Sequence, residues 1–379
     1  MFNGAVSDEL PPAVRVLWLI KGLGPGGAEQ LLVSAAEVAV DERFAYSVAY
    51  VRPDKTHLVA KLAASGVPAS CLATGVGGPR LWPLRLRRRL RDVDLVHAHS
   101  PLLAGVVRLL TRTMPPGARP KVVTTEHNVW RSFSTPTRWL NRLTSGLDDH
   151  RFAVSDEVRR SMTPRASRQS EVLVHGINHE SFERTGESRE SVRSALGLQP
   201  DTVAALTVAN FRTEKDYPNL LRAAATACAE DPDLRVLAVG QGPLEHEVRE
   251  LHAALGLGDR FVLLGFRDDV PDLLRAVDLF VLGSAHEGLP VAVMEALAAG
   301  LPVVATDVGG VAQAVVDAEN GLLVPARDPQ ALAAAMLRVA RDPGLRAALS
   351  RGARAGSTRF DIRTALRRQQ DVYAVLTGS

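Results

Sequence analysis

From Val14 onward, short apolar runs rich in β-branched residues alternate with longer segments whose apolar residues recur every three to four positions. The runs at 14–20, 46–51, 95–98, 121–125, 151–154 and 172–174 predict buried strands. Residues 28–39 and 136–147 carry helical spacing between them. Residues 178–200 break the rhythm: they are polar and charged, and read as a linker with a short helix. The alternation then resumes, with strands predicted at 203–208, 235–239, 261–264, 278–282, 301–305 and 322–324, and closing helices at 329–341 and 361–376. Strand–helix alternation means βαβ units and a parallel sheet. Two such series in tandem predict an α/β protein of two doubly wound domains facing a cleft. The expected division is 1–177 and 178–357, with 358–379 crossing back onto the first domain.

Length agrees, since 379 residues at roughly 150 per domain give two domains. With 46% hydrophobic and 23% charged residues the chain is an ordinary globular one. Lys+Arg 45 against Asp+Glu 42 leaves a net charge of +3, too little for a global grip on nucleic acid, which is therefore not an expected partner. Cys71 and Cys228 stand apart in no metal-like or redox-like spacing and fit a reducing cytosol. The first dozen residues are polar, and the run 14–20 is far shorter than the ~20 residues of a membrane span. With no small-residue cleavage site, no signal peptide is expected and the location reads as cytoplasmic. Only Lys21, Lys55, Lys61, Lys121 and Lys215 are lysines among the 45 cations. In so arginine-biased a chain, Lys215 stands alone in the last two-thirds.

Several local patterns carry chemistry. Gly22-Leu-Gly24-Pro-Gly26-Gly27 follows a predicted strand and opens a helix, a turn whose free N–H groups suit a phosphate or a tight structural bend. A dinucleotide site would also want an acid closing the second strand, and Asp54 lies just beyond Arg52-Pro53. Asp92-Val-Asp94 has the D-x-D form of a metal holder, or of a solvated strand entrance. His97, His99 and His127 fall at strand ends, where open α/β sheets bind ligands. Arg212 and Lys215, three apart after a strand, can converge on one anion. Glu287-Gly288-Leu289-Pro290 leads a helix that carries Glu295 among apolar neighbours, where a carboxylate needs partners such as ribose hydroxyls.

Glu287 and Glu295 together resemble the E-x7-E pattern of the retaining family-4 glycosyltransferases, which have the GT-B fold of two Rossmann-like domains. The resemblance extends over nearly the whole chain. It includes Gly26-Gly27-Ala-Glu29, Glu126-His127-Asn128, Val154-Ser155, Val239-Gly240-Gln-Gly242-Pro243, Gly265-Phe266, Thr306-Asp-Val-Gly309-Gly310 and Asn320-Gly321-Leu-Leu-Val-Pro325. It implies that Arg212 and Lys215 hold a donor diphosphate, that Glu287 contacts the donor sugar and Glu295 the ribose, and that Gly288 and Leu289 offer backbone N–H groups. Gly26 and Gly27 would approach the donor phosphate and the acceptor, His127 would lie near the anomeric carbon, and Gly265, Phe266 and Arg267 would read the base. Many members read Asn-Gly-Val-Asp where this chain has His175-Gly176-Ile177-Asn178, and Gln313 occupies a place often acidic.

The implied activity is transfer of a sugar from a nucleoside-diphosphate donor to a glycan, lipid-linked or small-molecule acceptor, with retention, without cofactor or metal, in glycan, glycolipid or envelope polysaccharide synthesis. A non-catalytic nucleotide-sugar binder of the same fold and a dinucleotide-dependent oxidoreductase are the alternatives. Leu81-Trp82-Pro-Leu84-Arg85-Leu86-Arg87-Arg88-Arg89-Leu90-Arg91 adds an expected contact with an anionic membrane surface, or an amphipathic helix with a solvated basic face.

Overall fold

The computed structural model describes residues 12–39, 41–183 and 187–379, so the polar N-terminal stretch before residue 12 lies outside the described residues. One sheet contains β1 (Val14–Ile20), β2 (Phe44–Tyr50), β3 (Ala69–Cys71), β4 (Leu95–Ala98), β5 (Lys121–Glu126), β6 (His150–Ala153) and β7 (Ser170–Val172). The other contains β8 (Val203–Val208), β9 (Leu234–Val239), β10 (Phe261–Gly265), β11 (Leu279–Leu282), β12 (Val303–Thr306) and β13 (Gly321–Val324). The strand orders are β3-β2-β1-β4-β5-β6-β7 and β10-β9-β8-β11-β12-β13. Pairing is parallel throughout, as in Trp18↔His97 and Phe280↔Val303. Helices cover both faces, so the central strands are buried on both sides and read as continuous apolar runs. The molecule is thus two Rossmann-like α/β domains.

Most strand ends differ from expectation by one or two residues. The three-residue β3 and the helix Pro343–Ser357 carry too little apolar patterning to be expected. Residues 178–200 hold two short helices, Glu180–Glu183 and Arg189–Ala195.

Strand order reverses once in each sheet, between β1 and β4 and between β8 and β11. A crevice opens outside the carboxyl ends of such a pair, because the adjoining loops leave in opposite directions. The segments leaving β1, β4, β8 and β11 begin at Lys21, His99, Ala209 and Gly283, so the Gly22–Gly27 turn, Arg212 with Lys215, and Glu287 all sit at switch points.

The linkers cross where Ile177 N donates to Phe360 O (2.8 Å) and Ile362 N to Ile177 O (3.0 Å). Gly176 allows this crossing, since a Cβ there would lie 2.4 Å from the Asp361 carbonyl carbon. Beyond it the helix Ile362–Thr377 packs on the first sheet, burying Ile362, Ala365, Leu366, Val372 and Tyr373 in that domain's core.

Candidate active site

A cavity of about 360 Å³ lies between the sheets. Among the residues expected at the site, Gly26, Gly27, Lys215, Phe266, Arg267 and Glu295 line it, whereas His127, Arg212, Glu287, Gly288 and Leu289 do not. Those five divide into residues bound to the lining and residues turned elsewhere.

Lys215 Nζ donates to both Glu287 carboxylate oxygens at 2.6 and 2.8 Å, and Ser284 Oγ donates to one of them at 2.6 Å. The Glu287 side chain is 7% exposed and that of Lys215 22%, so the pair is largely withdrawn from water and only the lysine reaches the cavity. Desolvation makes a carboxylate that has lost its partner costly there. The backbone after Glu287 is locked by glycines: Gly310 N donates to Gly288 O at 2.6 Å, and a Cβ on Gly309 (φ +60°) would lie 2.0 Å from Glu287 O. The Gly288 and Leu289 amides donate to no acceptor among the described residues. They therefore remain free for an anion or hydroxyl.

Glu295 lies on the helix Val291–Ala298 and lines the cavity, and its carboxylate accepts no hydrogen bond among the described residues. Burial pushes its pKa up to about 7, and the Lys61 charge across the cleft pulls the other way. An unpartnered carboxylate facing a cavity is a site waiting for donors.

The glycine turn serves two purposes. Gly22 and Gly24 pack under the Lys55 stem, where a Cβ would come within 2.9 and 3.2 Å of it. Gly26 and Gly27 face the cavity, and a Cβ on Gly27 would stand 3.3 Å from Val291 of the second domain. Glu29, in the first turn of the helix Gly27–Val38, has a pKa raised by burial; Lys55, Arg212 and Lys21 oppose that rise. Arg212 thus does not converge with Lys215 on the cavity. It is exposed, lines a smaller pocket on the other side of its loop, and directs its charge at Glu29. Arg267 is held by Asp269 at 2.7 Å, and the Phe266 ring lies 5.7 Å from His57 of the first domain.

His127 is positioned by its backbone. A Cβ on Gly288 would lie 2.4 Å from the His127 carbonyl oxygen, so the two domains meet there at a glycine-only distance. Its ring turns into the first domain, with Nε2 3.3 Å from His99 Nδ1 and a stacked His175 at 5.4 Å between centroids. Burial lowers the pKa of His97, His99, His127 and His175, the last to about 4. Leu289 packs against the cores of both domains.

Other candidates have structural partners. Asp94 receives Arg15 Nη2 at 2.8 Å and the Arg15 amide at 2.8 Å, making Asp92-Val-Asp94 a strand entrance. Asp54 is taken by Arg52 at 2.8 and 2.6 Å, so it is not the free acid that a dinucleotide ribose needs. No group of three or more potential metal ligands occurs among the described residues. In the helix Trp82–Arg89, Arg85 donates to Leu72 O, Val76 O and Gly78 O, Arg87 to Thr113 and Arg89 to Ser47. Three of the segment's arginines are thereby bound to protein, leaving Arg88 and Arg91 exposed with Leu81 and Leu84. Among the described residues no helix is long and apolar enough to cross a membrane.

Lys61 went unassigned in the sequence, yet it lines the cavity and bears on Glu295. Lys21 and Lys55 act on Glu29. Four of the five lysines therefore surround the cleft, and the rarity that singled out Lys215 was a signal for the others. Asn178, the last residue of the His175-Gly176-Ile177-Asn178 departure, donates from Nδ2 to Glu37 at 3.0 Å across the cleft.

Comparison with known proteins agrees with this geometry. The model named Glycosyltransferase Family 4 matches residues 25–181, and that named Glycosyl transferases group 1 matches residues 188–356. A D-inositol 3-phosphate glycosyltransferase of Streptomyces bingchenggensis (strain BCW-1) is 36% identical over 214 residues, 53% of this chain and 47% of the relative, so that alignment spans about half of its length. The alpha-D-kanosaminyltransferase of Streptomyces kanamyceticus is 29% identical over 299 residues, 73% of this chain and 76% of that one. Anabaena Alr3699/HepE, solved in complex with UDP-glucose, superposes with a TM-score of 0.84 at 24% identity, covering 95% of this chain and 99% of the other, a likeness of fold. With both domain models matched in order on two facing Rossmann-like domains, the chain belongs to the group 1/family 4 glycosyltransferases of GT-B fold.

Proposed function

We propose that the protein transfers a sugar from a nucleoside-diphosphate donor to an acceptor hydroxyl, with retention at the anomeric carbon and without a divalent metal, in polysaccharide or glycolipid assembly. One observation carries the reading: the interdomain cavity gathers a lysine cation, an unpartnered carboxylate and the glycine turn between two switch points. Free amides of Gly288 and Leu289 stand just beyond that lining.

Each part has a task in such a reaction. The diphosphate gains negative charge as the glycosidic bond breaks, and Lys215 with the helix-leading amides stabilises it. Lys215 is held ready by Glu287, which receives the sugar hydroxyls when the lysine turns to phosphate. Glu295 accepts from the ribose, Phe266 and Arg267 flank the base, and Gly26 and Gly27 let the acceptor side approach. Arg212 contributes long-range charge across the cleft through its loop beside Lys215. With Glu287 bound to a cation, the arrangement favours front-face attack, in which the departing diphosphate takes the acceptor proton. Catalysis then rests on orientation and leaving-group stabilisation. The exposed Leu81, Leu84, Arg88 and Arg91 are proposed to touch an anionic membrane face on the acceptor side.

UDP-glucose is the first donor to test, because Alr3699/HepE was solved with it. Thermal shifts with UDP-, GDP- and ADP-sugars identify the base, since a ligand at 100 times its Kd stabilises by about 2.7 kcal/mol. Hydrolysis of the stabilising donor then separates a transferase from a passive binder. A protein stabilised by none of them, and by NADH instead, contradicts the reading.

A further inference from the structure

The imidazole of His127 belongs to a buried array that the donor site alone does not require. His97 is fully buried, with Nδ1 2.5 Å from Tyr373 Oη and Nε2 2.7 Å from Thr125 Oγ1. The His99 ring lies 4.2 Å from that of His97, and its Nδ1 lies 3.3 Å from His127 Nε2. His175 stacks on the outer side of His127. The array's ends come from the two segments that cross between the domains: His175 precedes Gly176 and Ile177, and Tyr373 lies on the helix that follows Ile362.

Between His99 and His127 one proton is shared out in one of two ways. If His127 donates from Nε2, His99 accepts at Nδ1 and must carry its own proton on Nε2. That nitrogen is buried with no partner, so the arrangement seals an orphan N–H donor inside the protein. If His99 donates from Nδ1, its buried Nε2 is a bare acceptor instead. Buried orphan N–H groups are the rarer and costlier defect. Burial keeps all four rings neutral at pH 7, which leaves these two tautomers as the choices. His127 Nδ1 has no hydrogen-bond partner among the described residues and is not sealed from solvent.

We infer that His99 is a positioning residue that donates from Nδ1 to His127 Nε2 and so fixes His127 as the Nδ1–H tautomer. His127 can then only donate a hydrogen bond to an oxygen of the bound sugar or acceptor. Its other nitrogen's lone pair is occupied, so it cannot take the acceptor's proton. The His175 stack and the Gly288 contact hold the ring and backbone of the same residue from the hinge side and from the second domain. This inference rests on the proposed glycosyl transfer for its consequence, and on geometry alone for the tautomer.

The test has two independent arms. In ¹⁵N-labelled protein, a long-range ¹H–¹⁵N spectrum of the ten histidines, assigned by loss of signals in His127→Gln and His99→Gln, reads each tautomer directly. The expected result is a protonated Nδ1 and a bare Nε2 on His127; a protonated Nε2 overturns the inference, and this measurement needs no active variant. In the second arm, His99→Phe keeps a ring but no donor, and is expected to lower kcat about tenfold, the scale of one orienting hydrogen bond, with donor KM within about twofold. His99→Asn places an amide donor near the old Nδ1 and should recover most of that loss. His99→Phe with undiminished kcat overturns the positioning role. Wild-type protein that turns over no donor overturns the proposed function, while the spectrum still decides the tautomer.

Discussion

Replacing Glu295 with glutamine is expected to stabilise the protein above neutral pH while weakening its hold on a nucleotide. Burial raises the Glu295 pKa from 4.5 to about 7, so in the folded state the carboxyl keeps its proton through a range where the unfolded chain has lost it. The native state then binds more protons than the unfolded state between those values, and stability falls as pH rises through that window. The rise from 4.5 to about 7, at ~1.36 kcal/mol for each tenfold change in proton affinity, sets a ceiling of about 3 kcal/mol. Glu295 is partly accessible from the cavity, so about 2 kcal/mol is the working figure. That corresponds to roughly 4–8 °C in Tm for a domain of this size. Calorimetry of wild type and Glu295→Gln from about pH 4 to 8.5 should show curves that coincide near pH 4, separate as the pH rises from about 4.5 to about 7 and stay apart above that, the variant melting later. In the wild type, nucleotide affinity should rise with pH through about 7, because ribose hydroxyls donate to the ionised form, and the variant should lose that rise. A variant no more stable than wild type at pH 8.5, or equally stabilised at pH 4, refutes the argument that this carboxylate lacks a protein partner.

Lys215→Ala should lose about 10²–10³ in kcat, the scale of one preorganised charge at a leaving group, Lys215→Arg should recover part of it, and EDTA should leave the wild type active. Steady-state kinetics with and without chelator, with circular dichroism for folding, check all three. Gly288→Ala brings a Cβ to 2.4 Å from the His127 carbonyl, so the domains must part. Each domain should stay folded while kcat/KM drops about a hundredfold, the effect of ångström-scale misplacement, and small-angle scattering should report a more open shape. Co-sedimentation with anionic vesicles should be weak and salt-sensitive, since two free arginines supply only about 2 kcal/mol; equal absence of binding to anionic and neutral vesicles ends the membrane proposal.

The fold was legible because buried parallel strands write themselves as β-branched runs, and both domains contain enough of them. The helix Pro343–Ser357 escaped because glycine weakens a helical pattern, and its glycines answer to packing. A Cβ on Gly352 would lie 2.0 Å from Glu319 O, and one on Gly356 would touch Asn320, while Leu349, Ala353 and Ser357 form the buried stripe. At the site, spacing indicated Glu287, Lys215 and Glu295, because turns, helix starts and isolated charges are local. It could not indicate that Lys215 and Glu287 would pair, which depends on β8 and β11 being neighbours in one sheet, or that Arg212 would turn toward Glu29, which depends on how the two sheets face each other. The histidine array is nonlocal in the same way: Tyr373 meets His97 across 276 positions.

The central claim is transfer from a nucleoside-diphosphate sugar with retention, and the configuration of the first-formed product tests it most directly. The donor that stabilises the protein is incubated with it, water serving as acceptor if no other is known, and the anomeric proton signals are followed by NMR before mutarotation mixes them. The account predicts that the released or transferred sugar first appears with the donor's own anomeric configuration, and that Lys215→Ala slows its appearance. A product that first appears inverted, or no product from any nucleotide sugar, contradicts it.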